Sequence, residues 1–364
     1  MSDIVILGGA RDYHALDWYR TVKKLMPSTN VILLTDLIGG EGFDVIVNES
    51  DRVEKLFIID KFLFKGQSRA GNIWRNIFKL LVLPIQIFYL KKYKREHPDS
   101  VFHAHPMYYM FLCWLSGIEF IGSPQGDEIL IRPYRSKLYK YFAQKTLQAA
   151  KYVTVDSINM QKGIEQLSGV HALVYQYGID VENLLQLKSM KRDKIASIRG
   201  MLPLYRIQEI IEARNHSKML SQEPISFIYP YYDEAYYTRM KKILISDDQD
   251  LGRLDKDAMY QLLLESFLIV SIPESDSSPR SVYESIFLGC CVAVTYNPWI
   301  ESLPQCMKNR LFIVDLDDAL WLEKAFEFAK KCVLVPYVPS EEALEIFDQR
   351  RSIGKVIEKL YLNF

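Results

Sequence analysis

Asp276 and Glu284 stand eight residues apart in the segment 273–294, PESDSSPRSVYESIFLGCCVAV, with Ser277, Ser278, Arg280 and Ser281 between them. An apolar run over 267–272 predicts a strand that enters this polar loop. The loop opens a helix with Pro279 in its first turn, the helix ends near Gly289, and a second strand follows over 291–295. Unpaired N–H groups at a helix start, with the positive end of its dipole, suit phosphate. Carboxylates suit sugar or ribose hydroxyls, the serines add donors, Ser278 is placed to cap the helix, and Arg280 adds a cation. Both halves of a nucleotide-sugar fit such a layout. The competing reading is a solvated loop acid beside a helix-surface acid. The ligand reading gains because the loop leaves the carboxyl end of a strand, where open α/β sheets bind their ligands.

Other residues suggest chemistry less directly. His103-Ala104-His105-Pro106 ends a predicted strand, and alternation turns both rings to one face. No third ligand accompanies them, so a metal is not expected there. Asp247-Asp248-Gln249-Asp250 and Asp315-Leu316-Asp317-Asp318 contain D-x-D spacings, which can hold a divalent metal, but both are predicted to lie in polar turns. From Lys61 to Arg95 there are nine Lys/Arg and no acid, with Ile73, Trp74, Ile77, Phe78, Leu81 and Ile85 at helical spacing. Two readings stand for this stretch: a buried helix with a solvated polar face, or a helix docked on an anionic membrane surface.

The elements that must position these residues alternate strand and helix throughout, the pattern of parallel α/β layers. Strands are expected at 4–7, 31–34, 55–59, 100–103, 118–121 and 152–155, and helices at 13–25, 72–95 (interrupted at Pro84) and 136–149. The polar segment 181–192 reads as a linker. A second series follows, with strands at 194–198, 226–229, 267–272, 291–295 and 310–314 and helices at 207–214, 236–245 and 256–265, then a long helical tail over 340–362. A chain of 364 residues suits two domains of about 150–200 residues. The expected domains are 1–182 and 183–343, with 344–364 as a closing helix.

Hydrophobic content of 49% with 25% charged residues describes a soluble globular protein. Formal net charge is zero, which gives no case for nucleic acid as a partner. Five cysteines without C-x-x-C spacing read as reduced thiols of a cytosolic protein. The start, MSDIVILGGARDYH, has an acid where a signal peptide carries positive charge. No run of about 18 uncharged apolar residues occurs, so no membrane-crossing helix is expected.

The 273–294 segment resembles the Glu-x7-Glu signature of retaining GT-B-fold glycosyltransferases, glycosyltransferase family 4 in particular. Glu284, Gly289 and Val292 match that signature, and Asp276 stands for the first Glu, one residue nearer the preceding Pro273. The family's Gly-x-Gly is Ser277-Ser278-Pro279 here. Ala196-Ser-Ile-Arg199-Gly-Met-Leu-Pro-Leu-Tyr205-Arg206 resembles the family's G-R-x-x-x-x-K-G stretch. Arg199 matches the first basic residue, and Arg206 is the cation nearest the missing Lys. Gly122-Ser-Pro-Gln125-Gly126-Asp127 resembles the T-x-H-G-x-D loop. Gln125 replaces its His, and a neutral amide cannot serve as a titrating base. His103-Ala-His105 resembles D-x-x-H-x-H, Tyr177-Gly-Ile-Asp180 resembles N-G-I/V-D, and Gly8-Gly9 matches the loop that approaches donor phosphates.

The resemblance implies two Rossmann-like domains facing a central cleft, acceptor domain first and nucleotide-sugar domain second, with the last helix crossing back to the first domain. It implies retaining transfer of a sugar to an acceptor hydroxyl without a metal or other cofactor. Arg199 and Asp276 would be catalytic, with Asp276 orienting the sugar. Arg206, Ser277, Ser278, Arg280, Ser281, Glu284 and Gly9 would join Arg199 in binding the donor, Glu284 at the ribose. His105, Gln125, Gly126 and Asp127 would line the acceptor side. Surface-polysaccharide or glycolipid assembly, on a glycan or lipid-linked acceptor, is the expected setting. The expected location is the cytoplasm, peripheral on the inner face of the plasma membrane. A GT-B epimerase or sugar-nucleotide hydrolase and a non-enzymatic membrane-docking module are the alternatives. A nicotinamide-dependent oxidoreductase is disfavoured, since Gly8-Gly9-Ala-Arg lacks G-x-G-x-x-G.

Overall fold

The computed structural model describes residues 2–10, 12–38, 47–59, 62, 69–187 and 191–364. Of the basic stretch 61–95, residues 61 and 63–68 lie outside the described set. The chain forms two compact units, one of residues 1–177 with 349–364 and one of residues 178–348.

The first unit holds β1 (Ile4–Leu7), β2 (Val31–Thr35), β3 (Val53–Lys55), β4 (Val101–Ala104), β5 (Ile121–Gly122), β6 (Tyr152–Val155) and β7 (Leu173–Val174). They form one sheet in the order β3-β2-β1-β4-β5-β6-β7, and every pairing is parallel. The second unit holds β8 (Lys194–Ser197), β9 (Ile225–Ile228), β10 (Gln249–Gly252), β11 (Ser266–Ser271), β12 (Cys291–Thr295) and β13 (Leu311–Val314). Their order is β10-β9-β8-β11-β12-β13, again all parallel. Central strands such as IVIL in β1 and SFLIVS in β11 are buried along their whole length, as helices on both faces of a sheet require. In each sheet the strand order reverses beside the first strand, between β1 and β4 and between β8 and β11. Loops diverge there and leave a crevice at the carboxyl ends. The chain therefore sets Gly8-Gly9 and His105 at one switch point, and Arg199 and the 272–279 loop at the other.

Several expectations are corrected. The strand expected at 55–59 lies at Val53–Lys55. The supposed linker begins with a helix, Val181–Gln186, capped by Asp180, whose carboxylate accepts the Asn183 N–H; Val181 and Leu184 face the second core. The first crossing between units falls instead at Tyr177–Gly178, where Gly178 has φ 70°. Helix Arg69–Glu96 continues through Pro84. Asp250 belongs to β10, not to a turn. The tail is not one helix: Glu341–Phe347 ends at Asp348, whose ψ of 116° is extended, and Gln349–Val356 resumes in the first unit. There Ile353, Val356 and Leu360 pack with Ile4, Ile6 and Trp18, and the Trp18 indole donates to the Tyr361 hydroxyl at 2.8 Å. Finally, the stretch 73–96 is long and apolar enough to cross a membrane by length and composition, with mean hydropathy 1.3 and 18% of its most apolar window buried. Polar Gln86 and charged Lys79 interrupt what otherwise reads as an apolar span.

Candidate functional site

At the second switch point, Arg199 lies just past β8 and reaches across to the end of β11. Its Nε donates to Ser271 Oγ at 2.7 Å, and its Nη2 donates to Asp276 Oδ2. Both partners are mostly buried, with side-chain exposures of 14% and 18%. The register that puts Ser197 opposite Val270 makes this reach short. Asp276 is held in turn by its neighbours. Its own N–H donates to Asn297 Oδ1 at 3.1 Å, and its Oδ1 accepts the Ser277 N–H at 2.9 Å. The Tyr205 ring lies 5.7 Å from the Arg199 guanidinium, and the Tyr205 and Tyr231 hydroxyls are 2.7 Å apart. Gly200 makes room for those rings, since a Cβ there would come within 2.6 Å of Tyr231 and 3.0 Å of Tyr205.

Arg206 is the one non-glycine residue with positive φ among the described residues, at 52°. That conformation is disfavoured for a side chain carrying a Cβ. It turns the guanidinium onto the carbonyl of Ile272, 3.3 Å away, at the mouth of the same loop. Leu204 O accepts the Glu274 N–H at 2.9 Å and ties the two loops together. The structure thus brings Arg199, Arg206, Asp276 and Ser277 around the carboxyl end of β11.

Glu284 lies one turn into helix Arg280–Phe287, only 6% exposed, and its Oε1 accepts the Tyr260 hydroxyl at 2.9 Å. Burial, with the Glu284 charge, pushes the Tyr260 phenol well above its ordinary value and keeps it a donor. Arg280 opens the helix and its charge is felt at Tyr260. Pro279 occupies the N-cap position, directly after Ser278, and makes no side-chain cap bond of its own. The Ser281 carbonyl accepts from Ser285 Oγ at 2.7 Å. Ser271, Asn297, Tyr205 and Tyr260 were not singled out in the sequence. Their shared signal is position, a lone polar or aromatic residue at or just beyond a strand end or on a flanking helix.

In the first unit, a Cβ at Gly8 would lie 2.7 Å from the Ala15 Cβ and 3.2 Å from the His105 carbonyl oxygen, so close packing requires this glycine. Gly9 follows it, and its carbonyl accepts the Asp12 N–H at 2.8 Å. The His103 and His105 rings do share a face, with centroids 4.2 Å apart, but their environments differ. His103 is satisfied by Tyr361 at 2.6 Å and Ser123 at 2.7 Å. His105 is 3% exposed, its Nε2 has no partner, and burial, aided by nearby His14, lowers its pKa to about 3. Gln125 caps helix Gly126–Leu130 and its amide donates to Asp12 Oδ2 at 3.2 Å. Asp127 is exposed and paired with Arg132 at 2.6 Å. Glu128, not anticipated, is 4% exposed and accepts the N–H groups of Gln125 and Met107 at 3.0 and 2.9 Å.

Neither half of the first D-x-D pattern is open. Asp248 is fully buried against Arg214 at 2.6 Å, and Asp250 accepts the Tyr229 and Tyr237 hydroxyls at 2.5 and 2.7 Å. Among the described residues no three His, Cys, Asp or Glu side chains are gathered as a metal site. The five cysteines are all unpaired.

No protein-family profile matches the chain, and no curated protein matches it in sequence. Solved structures do match over the whole length. HepE from Anabaena, determined in complex with UDP and glucose, is 14% identical with a TM-score of 0.71, covering 99% of this chain and 100% of that one. A sucrose-phosphate synthase from Thermosynechococcus elongatus is 11% identical with a TM-score of 0.73 and full coverage of both chains. The lipopolysaccharide outer core galactosyltransferase WaaB, in its apo form, is 9% identical with a TM-score of 0.64, also at full coverage. A Listeria monocytogenes protein assigned as a UDP-N-acetylglucosamine 2-epimerase shares the fold too, at a TM-score of 0.57. Two parallel α/β units of this strand order, aligned end to end with these glycosyltransferases, give the chain the GT-B fold.

Proposed function

We propose that the chain is a retaining, metal-independent glycosyltransferase that moves a sugar from a nucleoside-diphosphate sugar to an acceptor hydroxyl. The observation that carries this reading is the Arg199–Asp276 pair, braced by Ser271 and Asn297 at the switch point of the second sheet. Asp276 and Ser271 occupy Nη2 and Nε of the guanidinium, and Nη1 is the nitrogen assigned to the diphosphate. As the bond from the anomeric carbon to the diphosphate breaks, negative charge grows on the leaving oxygen. Arg199, Arg206 and the N–H groups near Ser278–Ser281, with Arg280 alongside, stabilise it. Asp276 orients the sugar, and Glu284, fixed by Tyr260, takes the ribose hydroxyls. The acceptor hydroxyl adds on the face the diphosphate leaves and gives up its proton to the departing phosphate oxygen. Gly9, His105, Gln125, Gly126 and Asp127 are assigned to the first unit's side of the reaction. The setting is the cytoplasm, with a glycan or lipid-linked acceptor of a surface polysaccharide or glycolipid.

The test is a thermal-shift screen with uridine, guanosine and adenosine diphosphates and their sugars. A cognate ligand at 100 times its Kd should stabilise the wild type by about 2.7 kcal/mol. Arg199→Ala and Glu284→Ala should abolish that shift and lower transfer by roughly 100-fold or more. Full transfer in both variants would sink the site assignment. Retention is read from the anomeric configuration of the product, and metal independence from unchanged turnover in chelator. Release of an epimerised sugar nucleotide without transfer would favour the epimerase reading instead.

A further inference from the structure

Helix Arg69–Glu96 presents its apolar stripe to the outside. Ile73, Ile77, Leu80, Leu81, Ile85 and Phe88, three or four residues apart and so on one face, are 43–68% exposed. An ordinary helix of a globular domain buries such a stripe. Here the opposite face is the one engaged. Val82 and Leu90 are buried, Lys79 pairs with buried Asp36 at 3.4 Å, and Gln86 Nε2 donates to Asp36 Oδ2 at 3.1 Å. The Lys79 ammonium also lies 3.8 Å from the centre of the Tyr108 ring. This buried polar lock fixes which way the helix faces.

A second element repeats the pattern. Between Glu128 and Asp156 the chain carries six Lys/Arg and no acid. Tyr134, Leu138 and Tyr141 are 54–69% exposed there, among exposed Arg135, Lys137 and Lys140. Helix Lys137–Ala149 packs on helix Met107–Ser116 through Tyr139 on Phe111 and Phe142 on Trp114, each with centroids 6.0 Å apart. Helix Arg69–Glu96 packs on that same helix Met107–Ser116, through Lys79 and Gln86 on Tyr108. Two basic elements with outward apolar residues therefore flank one helix of the first unit. The whole chain has zero net charge, so the positive charge is segregated here.

We propose that this face of the first unit docks on an anionic lipid bilayer, with the apolar side chains of both helices at the acyl boundary and the basic residues on lipid phosphates. A second copy is the poorer occupant, because a self-contact would set like charges against each other. Crossing the bilayer would require helix Arg69–Glu96 to leave Asp36 and Tyr108, to which it is fastened by a charge pair and hydrogen bonds. Docking also assigns a lipid-borne acceptor, and that assignment rests on the transferase reading.

The test is co-sedimentation of the whole chain with vesicles of phosphatidylcholine alone or mixed with phosphatidylglycerol. The wild type should pellet with the mixed vesicles, remain in solution with phosphatidylcholine, and be released by salt. Leu80→Ser with Leu81→Ser, and separately Arg135→Glu with Lys140→Glu, should each lower partitioning by about tenfold or more. All these positions are exposed, so both variants should melt like the wild type and keep its nucleoside-diphosphate shift. Equal binding to both vesicle types, or binding to neither, overturns docking. So does a wild-type dimer, seen by light scattering, that Leu80→Ser with Leu81→Ser dissociates, and so does membrane association that survives carbonate extraction. If the wild type pellets with anionic vesicles but no nucleoside diphosphate shifts its melting, docking stands and the lipid-borne acceptor falls with the transferase reading.

Discussion

Glu128 caps the start of helix Gly126–Leu130 and tethers Met107, yet its burial holds the carboxyl up at about 7, against an ordinary value of 4.5. Between those two values the folded state keeps a proton that the unfolded chain has released, so this group's contribution to stability declines as pH rises. His105 acts in the opposite sense. Held near 3, it refuses the proton that an unfolded histidine takes up below about 6.5, and so costs stability on acidification. Glu128→Gln should therefore gain on the wild type by about 1–3 kcal/mol between about pH 5 and about pH 8. Melting curves at both ends check this, and a difference that does not change with pH refutes it. At this scale the sequence was legible where a motif repeats local spacing, as with Asp276 and Glu284. The Arg199–Asp276 pair spans 77 residues and the Asp276–Asn297 bond spans 21. No periodicity reports such contacts. Glu128 went unread because burial, not residue type, is what makes it unusual.

Strand β10 shows why one element was missed. Its sequence, Gln-Asp-Leu-Gly, has no β-branched or aromatic residue, and as an edge strand it needs little apolar alternation. Neighbouring contacts define it: Asp248 beside it accepts the Ile225 and Ile245 N–H groups, each at 2.9 Å, and meets Arg214 through both oxygens. Asp248→Ala would strand a buried guanidinium and two backbone N–H groups. It should destabilise the second unit by about 3–5 kcal/mol, read from urea unfolding. A loss under 1 kcal/mol would mean water replaces the carboxylate. Helix Val181–Gln186 was missed for a related reason, since six residues carry too little periodicity to count. Pro84 misled in the other direction. The carbonyl it deprives of a partner belongs to Leu80, 68% exposed, where water can take over, so the helix runs on.

Across the whole molecule, alternating strand and helix patterns disclosed two parallel-sheet domains, because buried parallel strands are the strongest local signal in such a chain. The places where the chain changes unit were less legible, since a left-handed Gly178 after a short irregular stretch and one extended residue, Asp348, between two helices leave no periodic signal. Residues 349–364 supply Ile353, Val356, Leu360 and Tyr361 to a core built from the first strands. Deleting them should leave the second unit's melting intact and make the first unit the first to be cut in limited proteolysis. Fragments from both units appearing together would count against this. The same crossing orders events on the ribosome. Residues 178–348 are contiguous, so the second unit has all its strands before the first receives its closing segment. Trp18, Ile6 and the His103 ring must wait, uncovered, through the synthesis of another domain. The nascent chain thus carries an unfinished apolar surface that a holdase chaperone could recognise, and the half made first is the half completed last.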